Sequence, residues 1–571
     1  MIRVALAALL MSSLPLSAAP LRPSHAAHAM VASRHELASN AGVEVMKQGG
    51  NAVDAAVAVG FALAVVHPQA GNLGGGGFML FRTADGNARF IDYREKAPAA
   101  ATVDMYLDAR GEVAEGASLV GYKAVGVPGS VAGMVYAEKK YGRLSLEKVM
   151  APAIKLARDG YPLAWEDARD LHDPELAKFP ESRRIFQRDG DYYRPGEVLR
   201  QQDLARTLER IAKNPEDFYH GALARELAAA VQKGGGLVTA LDLEKYEVKE
   251  REPIHGSYRG YEIISAPPPS SGGVALIEIL NILEGYDLGK SGNGSAESMH
   301  LTLEAFRRAF FDRAEFLGDP DFSKIPVAQL TDKKYGAAWR QSVDPLHATS
   351  SRDLQRPAVF SQLEQYARLH PQPLAVQEPE HTTHYSVVDP EGNAVAVTTT
   401  LNDSFGSRVT AEGLGFLLND EMDDFTVKPG VPNTYGLVQS PANAIASGKR
   451  PLSSMDPTMV LKDGKLFLVL GSPGGARIIT TVATILMGVV DYGLNIQEAV
   501  NAPRFHNQWL PDTNYGERGI SPDTSHLLQK MGQPIVQENY WGDGECIAID
   551  LNTGERLGAS DGRNNGKAAG F

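Results

Sequence analysis

The amino-acid sequence predicts an α+β fold of stacked sheets with helices on their outer faces. Three observations lead there. The C-terminal third turns abruptly into short apolar runs, Tyr385–Val388, Ala394–Leu401, Met459–Leu461 and Phe467–Leu470, punctuated by Asp389-Pro390-Glu391-Gly392-Asn393 and Asp463-Gly464. Runs of this length joined by turn residues signal hairpins. Residues 145–315 are mostly helical by their apolar spacing, as in Leu204, Leu208 and Ile211, or Leu223, Leu227 and Val231. Finally, Phe467–Val490 runs from a strand through Gly471-Ser472-Pro473-Gly474-Gly475 into a helix over Ile478–Val490.

With 571 residues, 43% hydrophobic and 22% charged, the chain can bury a large core and is neither disordered nor a membrane bundle. A formal charge of −13 repels phosphate backbones and anionic lipid, so nucleic-acid and membrane-surface binding have no electrostatic footprint. The single cysteine, Cys546, cannot form an internal disulfide, and no cysteine–histidine cluster has zinc-ligand spacing.

In chain order, residues 1–19 read as an export signal. Arg3 supplies the positive start, Val4–Met11 the apolar run and Ser17-Ala18-Ala19 a cleavage site. A second small-residue site, Ala27-His28-Ala29, leaves the boundary open up to about residue 29. The expected destination is the periplasm or the medium. Ala52–Val66 is interrupted by Asp54 and ends at His67-Pro68, and so reads as a buried helix and not a membrane span. Gly74-Gly75-Gly76-Gly77 predicts a tight turn into the alternating run Phe78–Phe81. Pro267–Gly273 reads as a rigid turn before a helix over Val274–Leu283, and residues 320–380 as an exposed connector.

Several short motifs fail on chemical grounds. Gly558-Ala559-Ser560-Asp561-Gly562 has the form of a hydrolase nucleophile elbow, but neither an acid nor a histidine follows it. Gly285-Tyr286-Asp287-Leu288-Gly289-Lys290-Ser291 has the wrong glycine spacing for a phosphate loop and follows a helix. His381 and His384 lack the further ligands a metal would need. Gly471–Gly475 is more informative, because glycine N–H groups at a helix start favour an oxyanion.

Thr382-Thr383-His384-Tyr385-Ser386-Val387, Gly392-Asn393 and Val395–Asn402 with Phe405-Gly406 closely resemble the signature of the gamma-glutamyltranspeptidase family. The resemblance covers most of the chain, through Asp92–Pro98, Pro268–Gly273, Leu317–Phe322, Met422–Phe425, Lys449–Met455, Gly471–Gly475 and Asn501–Phe505. It implies a four-layer αββα sandwich of the N-terminal nucleophile hydrolase type. A self-cleaved precursor builds that sandwich from a large subunit, here 20–381, and a small subunit, 382–571.

The cut then falls between His381 and Thr382. The resemblance makes Thr382 the nucleophile, Thr400 the residue orienting it, and Gly474 and Gly475 the oxyanion donors. A γ-glutamyl donor carries an α-carboxylate and an α-ammonium. Arg94, with Ser453 and Ser454, matches the carboxylate side, and Asn402, Glu421 and Asp424 the ammonium side. Tyr435, in Lys428–Gly436, matches a lid residue. Departures occur at Asp420, where many relatives have Asn, at Arg408, where glycine is common, and at Asp561-Gly562-Arg563, which lacks the usual proline. The implied donor is glutathione or a related γ-glutamyl compound. The acceptor is water, an amino acid or a peptide, and no cofactor or metal is needed. The rivals are another amidase of the superfamily, such as a cephalosporin acylase or a poly-γ-glutamate hydrolase, and an uncleaved binding protein.

Overall fold

The computed structural model describes residues 21–188, 190–360, 363 and 382–571. The expected signal segment 1–19 and His381 lie outside the described residues. Two seven-stranded antiparallel sheets form the centre. The first runs Lys567–Gly570, Met30–Ser33, Thr383–Val388, Ala394–Thr400, Gly76–Arg82, Ala88–Tyr93, Lys249–Arg251. The second runs Ser24–Ala26, Arg556–Ala559, Cys546–Ile549, Lys465–Leu470, Thr458–Lys462, Tyr261–Ser265, Ile254–Tyr258.

Period-2 alternation explains why both faces of the first sheet are apolar. Met79, Phe81, Val387, Val395 and Val397 point into one core, under the helices Glu36–Lys47 and Ala52–Val66. Their neighbours Phe78, Leu80, Val388, Ala394 and Ala396 point into the other core, shared with the second sheet and the helices Gly272–Leu283 and Arg477–Val490. The layers are therefore helix, sheet, sheet, helix, an α+β sandwich of the expected kind.

Every residue of Ala52–Val66 is buried. Asp54, which breaks its apolar run, belongs to a capping box with Asn51 and accepts from the Arg143 and Leu144 amides at 3.0 and 2.7 Å. Among the described residues no helix is long and apolar enough to cross a membrane.

The structure departs from the sequence expectations in three places. The hairpin Ile254–Tyr258 and Tyr261–Ser265 lies inside the stretch read as helical. It occupies a sheet edge, where its outer strand needs no long apolar run and so leaves a weak signal. The stretch read as a connector contains the helices Val327–Leu330 and Lys333–Gln341, the second anchored by buried Tyr335 and Trp339. Gly74–Gly77 enters the strand through a bend at Gly75 and not a tight turn, and none of the four has positive φ. The reason for glycine is close approach: a Cβ on Gly75 would lie 2.0 Å from the Thr400 carbonyl oxygen.

Candidate active site

Thr382 immediately precedes the strand Thr383–Val388, which pairs with Ala394–Thr400 in the register Thr383↔Thr399. That register carries Thr400 across to Thr382, and their Oγ1 atoms stand 3.1 Å apart. The Asn402 amide donates to Thr400 Oγ1 at 2.9 Å, and Asn72 Nδ2 donates to the Thr400 carbonyl at 2.9 Å. Thr382 itself is 8% exposed. It is reachable, yet held by a fully bonded sheet.

The second sheet contributes the glycine corner. After the strand Lys465–Leu470 the chain turns through Gly474 at φ 128° and Gly475 at φ 52°, and a helix begins at Arg477. The carbonyls of Gly474 and Gly475 accept from the Arg477 and Ile478 amides at 2.9 and 3.2 Å. Their own N–H groups have no acceptor among the described residues. Two spare amides at a helix start attract developing negative charge.

Tyr435 packs directly on this corner. A Cβ on Gly475 would lie 2.4 Å from Tyr435 Cδ1, and the Tyr435 hydroxyl donates to the Asn402 carbonyl at 2.6 Å. Gly475→Ala therefore combines a clash with a left-handed φ. The N–H is kept but the corner must shift, and misplacing an oxyanion donor costs up to the about 2.7–4 kcal/mol of losing one, so kcat should fall up to about 100-fold or more while KM changes less. Steady-state kinetics of G475A would test this.

Between these elements lies a narrow pocket lined by Thr382, Arg94, Asn402, Asp424, Ser454 and Gly475, with Thr400, Glu421, Tyr435 and Ser453 also in its wall. Arg94, 1% exposed, is its electrostatic centre. Its Nη1 is 2.5 Å from Glu421 and 3.5 Å from Glu95, and its Nη2 contacts Asp424. Nε donates to the Pro451 carbonyl at 3.3 Å and Nη2 to that of Leu452 at 3.4 Å. Burial works against the charge on Arg94, but Glu421, Asp424 and Glu95 outweigh it and keep the guanidinium protonated. Burial pushes the Glu95 carboxyl up to about 7 against the pull of Arg94, and Glu421 well above the carboxylate range. Three acids thus close the guanidinium fork.

Ser453 and Ser454 are set by the Pro267–Gly273 turn. The Ser453 amide donates to the Pro269 carbonyl at 2.9 Å, and the Ser271 amide donates to the Ser453 carbonyl at 2.7 Å. Ser454 Oγ accepts from Arg313 Nη2 at 2.9 Å, and Ser453 Oγ accepts from the Met455 amide at 3.1 Å. Since arginine and amide N–H groups only donate, each serine keeps its hydroxyl proton for another acceptor.

The sequence profile of the family described as Gamma-glutamyltranspeptidase matches residues 38–571. The chain belongs to the gamma-glutamyltranspeptidase family. It is 49% identical to a glutathione hydrolase proenzyme of Escherichia coli (strain K12), over 98% of this chain and 97% of that one. A glutathione hydrolase proenzyme of Pseudomonas sp. (strain A14) is 51% identical, over 91% and 88% of the two chains. Among solved structures, a cephalosporin acylase from Bacillus halodurans aligns with a TM-score of 0.83 at 27% identity, over 99% of each chain.

Of the residues expected from the sequence, Thr382, Thr400, Arg94, Asn402, Glu421, Asp424, Ser453, Ser454, Tyr435 and Gly475 line one pocket, and Gly474 lies beside it. Glu95 and Arg313 escaped sequence reasoning. Glu95 lies inside the Asp92–Pro98 motif, but an acid next to an arginine reads as a solvated pair until burial is known. The departures from the gamma-glutamyltranspeptidase pattern at 408 and 420 compensate each other. Arg408 pairs with Asp403 at 2.9 Å and offsets the buried Asp420 carboxyl, while its φ of 63° explains why glycine suits the position. The rejected motifs are structural. Asp561 accepts from Arg504 and Arg563, His384 packs on Gly471 with burial pushing it down to about 3, and the Cys546 thiol is buried and pushed up to about 12.

Proposed function

We propose that this gamma-glutamyltranspeptidase family member is a gamma-glutamyltransferase and glutathione hydrolase that matures by cutting itself before Thr382. Uncut, the Thr382 nitrogen is an amide and cannot take a proton. Freed, it is an α-amine with an ordinary pKa of roughly 7.7–8.0. One residue then holds both nucleophile and base. Thr400, 3.1 Å away, orients the hydroxyl.

Thr382 Oγ1 attacks the γ-amide carbonyl, and its proton passes through the α-amine to the departing nitrogen. The Gly474 and Gly475 amides take the oxyanion. A γ-glutamyl ester remains on Thr382, and water or an acceptor amine resolves it. The subunits 20–381 and 382–571 stay together as a heterodimer because both sheets pair strands across them: Met30–Ser33 lies between Lys567–Gly570 and Thr383–Val388, Gly76–Arg82 pairs with Ala394–Thr400, and in the second sheet Tyr261–Ser265 pairs with Thr458–Lys462. Export through residues 1–19 is part of this reading.

The observation that carries the proposal is the closed ion pair beside the nucleophile. Arg94 against Glu421 and Asp424 mirrors the charges of a free glutamate backbone. An entering donor exchanges partners, its carboxylate taking Arg94 and the two serine hydroxyls, its ammonium taking the acids. A donor lacking the α-ammonium would confront those acids with nothing to pair.

γ-Glutamyl-p-nitroanilide should therefore be cleaved at least about tenfold better than glutaryl-p-nitroanilide, the discrimination of roughly one charge-assisted hydrogen bond. The structural likeness to a cephalosporin acylase favours a second reading, an amidase indifferent to the α-amino group. Equal rates on the two anilides would support that reading and sink ours.

A further inference from the structure

Thr382 also lines a second, larger cavity of about 470 Å³, and it is the residue the two cavities share. If the narrow pocket takes the glutamyl part, the acyl carbon lies against Thr382 Oγ1. Whatever is attached beyond the scissile amide then projects into the larger space. The same space receives the amine that later attacks the ester.

Three arginines line this cavity, and two of them hydrogen-bond to acids. Arg563 bonds Glu517 and Asp561, and half-exposed Arg169 bonds Asp170 at 2.7 Å. Arg34 differs. It directly follows the strand Met30–Ser33, so the first sheet fixes its backbone, and its side chain is only 11% exposed. It is ion-paired with Asp543 at 3.4 Å and with Asp170 at 3.6 Å. It donates no hydrogen bond among the described residues, and its Nη1 is buried without a partner. Asp543 Oδ1, on the same wall, is likewise buried without a partner.

A guanidinium offers five donors and no acceptor. The planar anion that satisfies two of them at once is a carboxylate. Glutathione presents such a group at the far end of its leaving dipeptide, and amino acid and dipeptide acceptors present one at a similar remove from their amine.

We propose that Arg34 binds the carboxylate of the leaving group and of the acceptor, so that the larger cavity selects carboxylate-bearing amines. The inference rests on the γ-glutamyl-transfer reading. In the transfer step the acceptor nitrogen forms the new amide bond and the ester C–O bond at Thr382 breaks. One amine proton returns through the α-amine to the threonine hydroxyl.

The test uses the mature heterodimer with γ-glutamyl-p-nitroanilide as donor, comparing glycylglycine with glycylglycinamide as acceptors. The wild type should favour glycylglycine by about tenfold in kcat/KM, a charge-assisted contact's typical worth. In Arg34→Gln the preference should disappear through a raised acceptor KM, while Arg34→Lys should keep part of it. Glutathione against its C-terminal carboxamide, as donors, should show the same pattern. A wild type indifferent to the carboxylate overturns the proposal without any variant, and so does an unchanged preference in R34Q. A wild type inert towards γ-glutamyl-p-nitroanilide would instead overturn the γ-glutamyl-transfer reading itself.

Discussion

Thr382→Ala is expected to remain a single uncut chain, 61.4 kDa before the signal segment is removed, after prolonged incubation, with no measurable transfer or hydrolysis. The substitution strips the hydroxyl, along with the methyl, from Cβ, and so removes the group expected to open its own peptide bond and later to attack the donor. Loss of the nucleophile in other hydrolases lowers kcat by on the order of 10⁶-fold, and here the α-amine would also never be released. Thr382→Ser retains a hydroxyl and should mature, only more slowly, which separates chemistry from folding. Denaturing gels against incubation time, with N-terminal sequencing of the smaller band, give the answer. Two normal subunits from T382A would refute both roles at once.

Arg94→Gln should damage the protein in two separable ways. It removes the guanidinium that contacts Glu95, Glu421 and Asp424, and breaking a buried ion pair from one side costs about 3–5 kcal/mol. Arg94 is also what holds the Glu95 and Glu421 carboxyls down against burial, so both should rise further without it. The sign follows from linkage. A carboxyl with a folded pKa above its unfolded value, about 4.3, contributes stability that is present below that value. The contribution is lost as pH rises through the folded value, which for Glu95 is already about 7. R94Q should therefore approach wild-type stability near pH 4–5 and fall furthest behind above pH 7, a trend that urea titrations across pH would record. Arg94→Gln with Glu421→Gln should regain stability but not donor affinity, with KM still raised roughly 10- to 100-fold for the lost bidentate contact. An R94Q whose stability deficit is the same at pH 5 and pH 8 would show that the acids are not coupled to Arg94.

Much of the site was legible because the family pattern is dense around it. Thr382 opens a hairpin whose turn, Asp389–Asn393, is written in the sequence, so its distance to Thr400 followed from register alone. The paired glycines stood at a strand-to-helix junction that periodicity located. The parts that escaped were those whose meaning depends on neighbours distant in the chain. Gly75 read as a turn because a glycine's sequence does not say which carbonyl will press against it. Arg34 read as nothing in particular, since only the packing of residues 169–170 and 543 around it engages Nε and Nη2 in ion pairs and leaves Nη1 without a partner.

The sequence by itself determined the alternation that buries both faces of the central sheet, the place of Thr382 at the head of a strand, and the family. These depend on local periodicity and on ordered motifs, both properties of neighbours along the chain. Tertiary structure alone decided the charge state of the pocket. Arg94 and Asp424 are 330 positions apart, and whether they face water or one another is set by folding. Coulomb energy varies inversely with the local dielectric, so the same residues that would be independent in solvent become one coupled unit once buried.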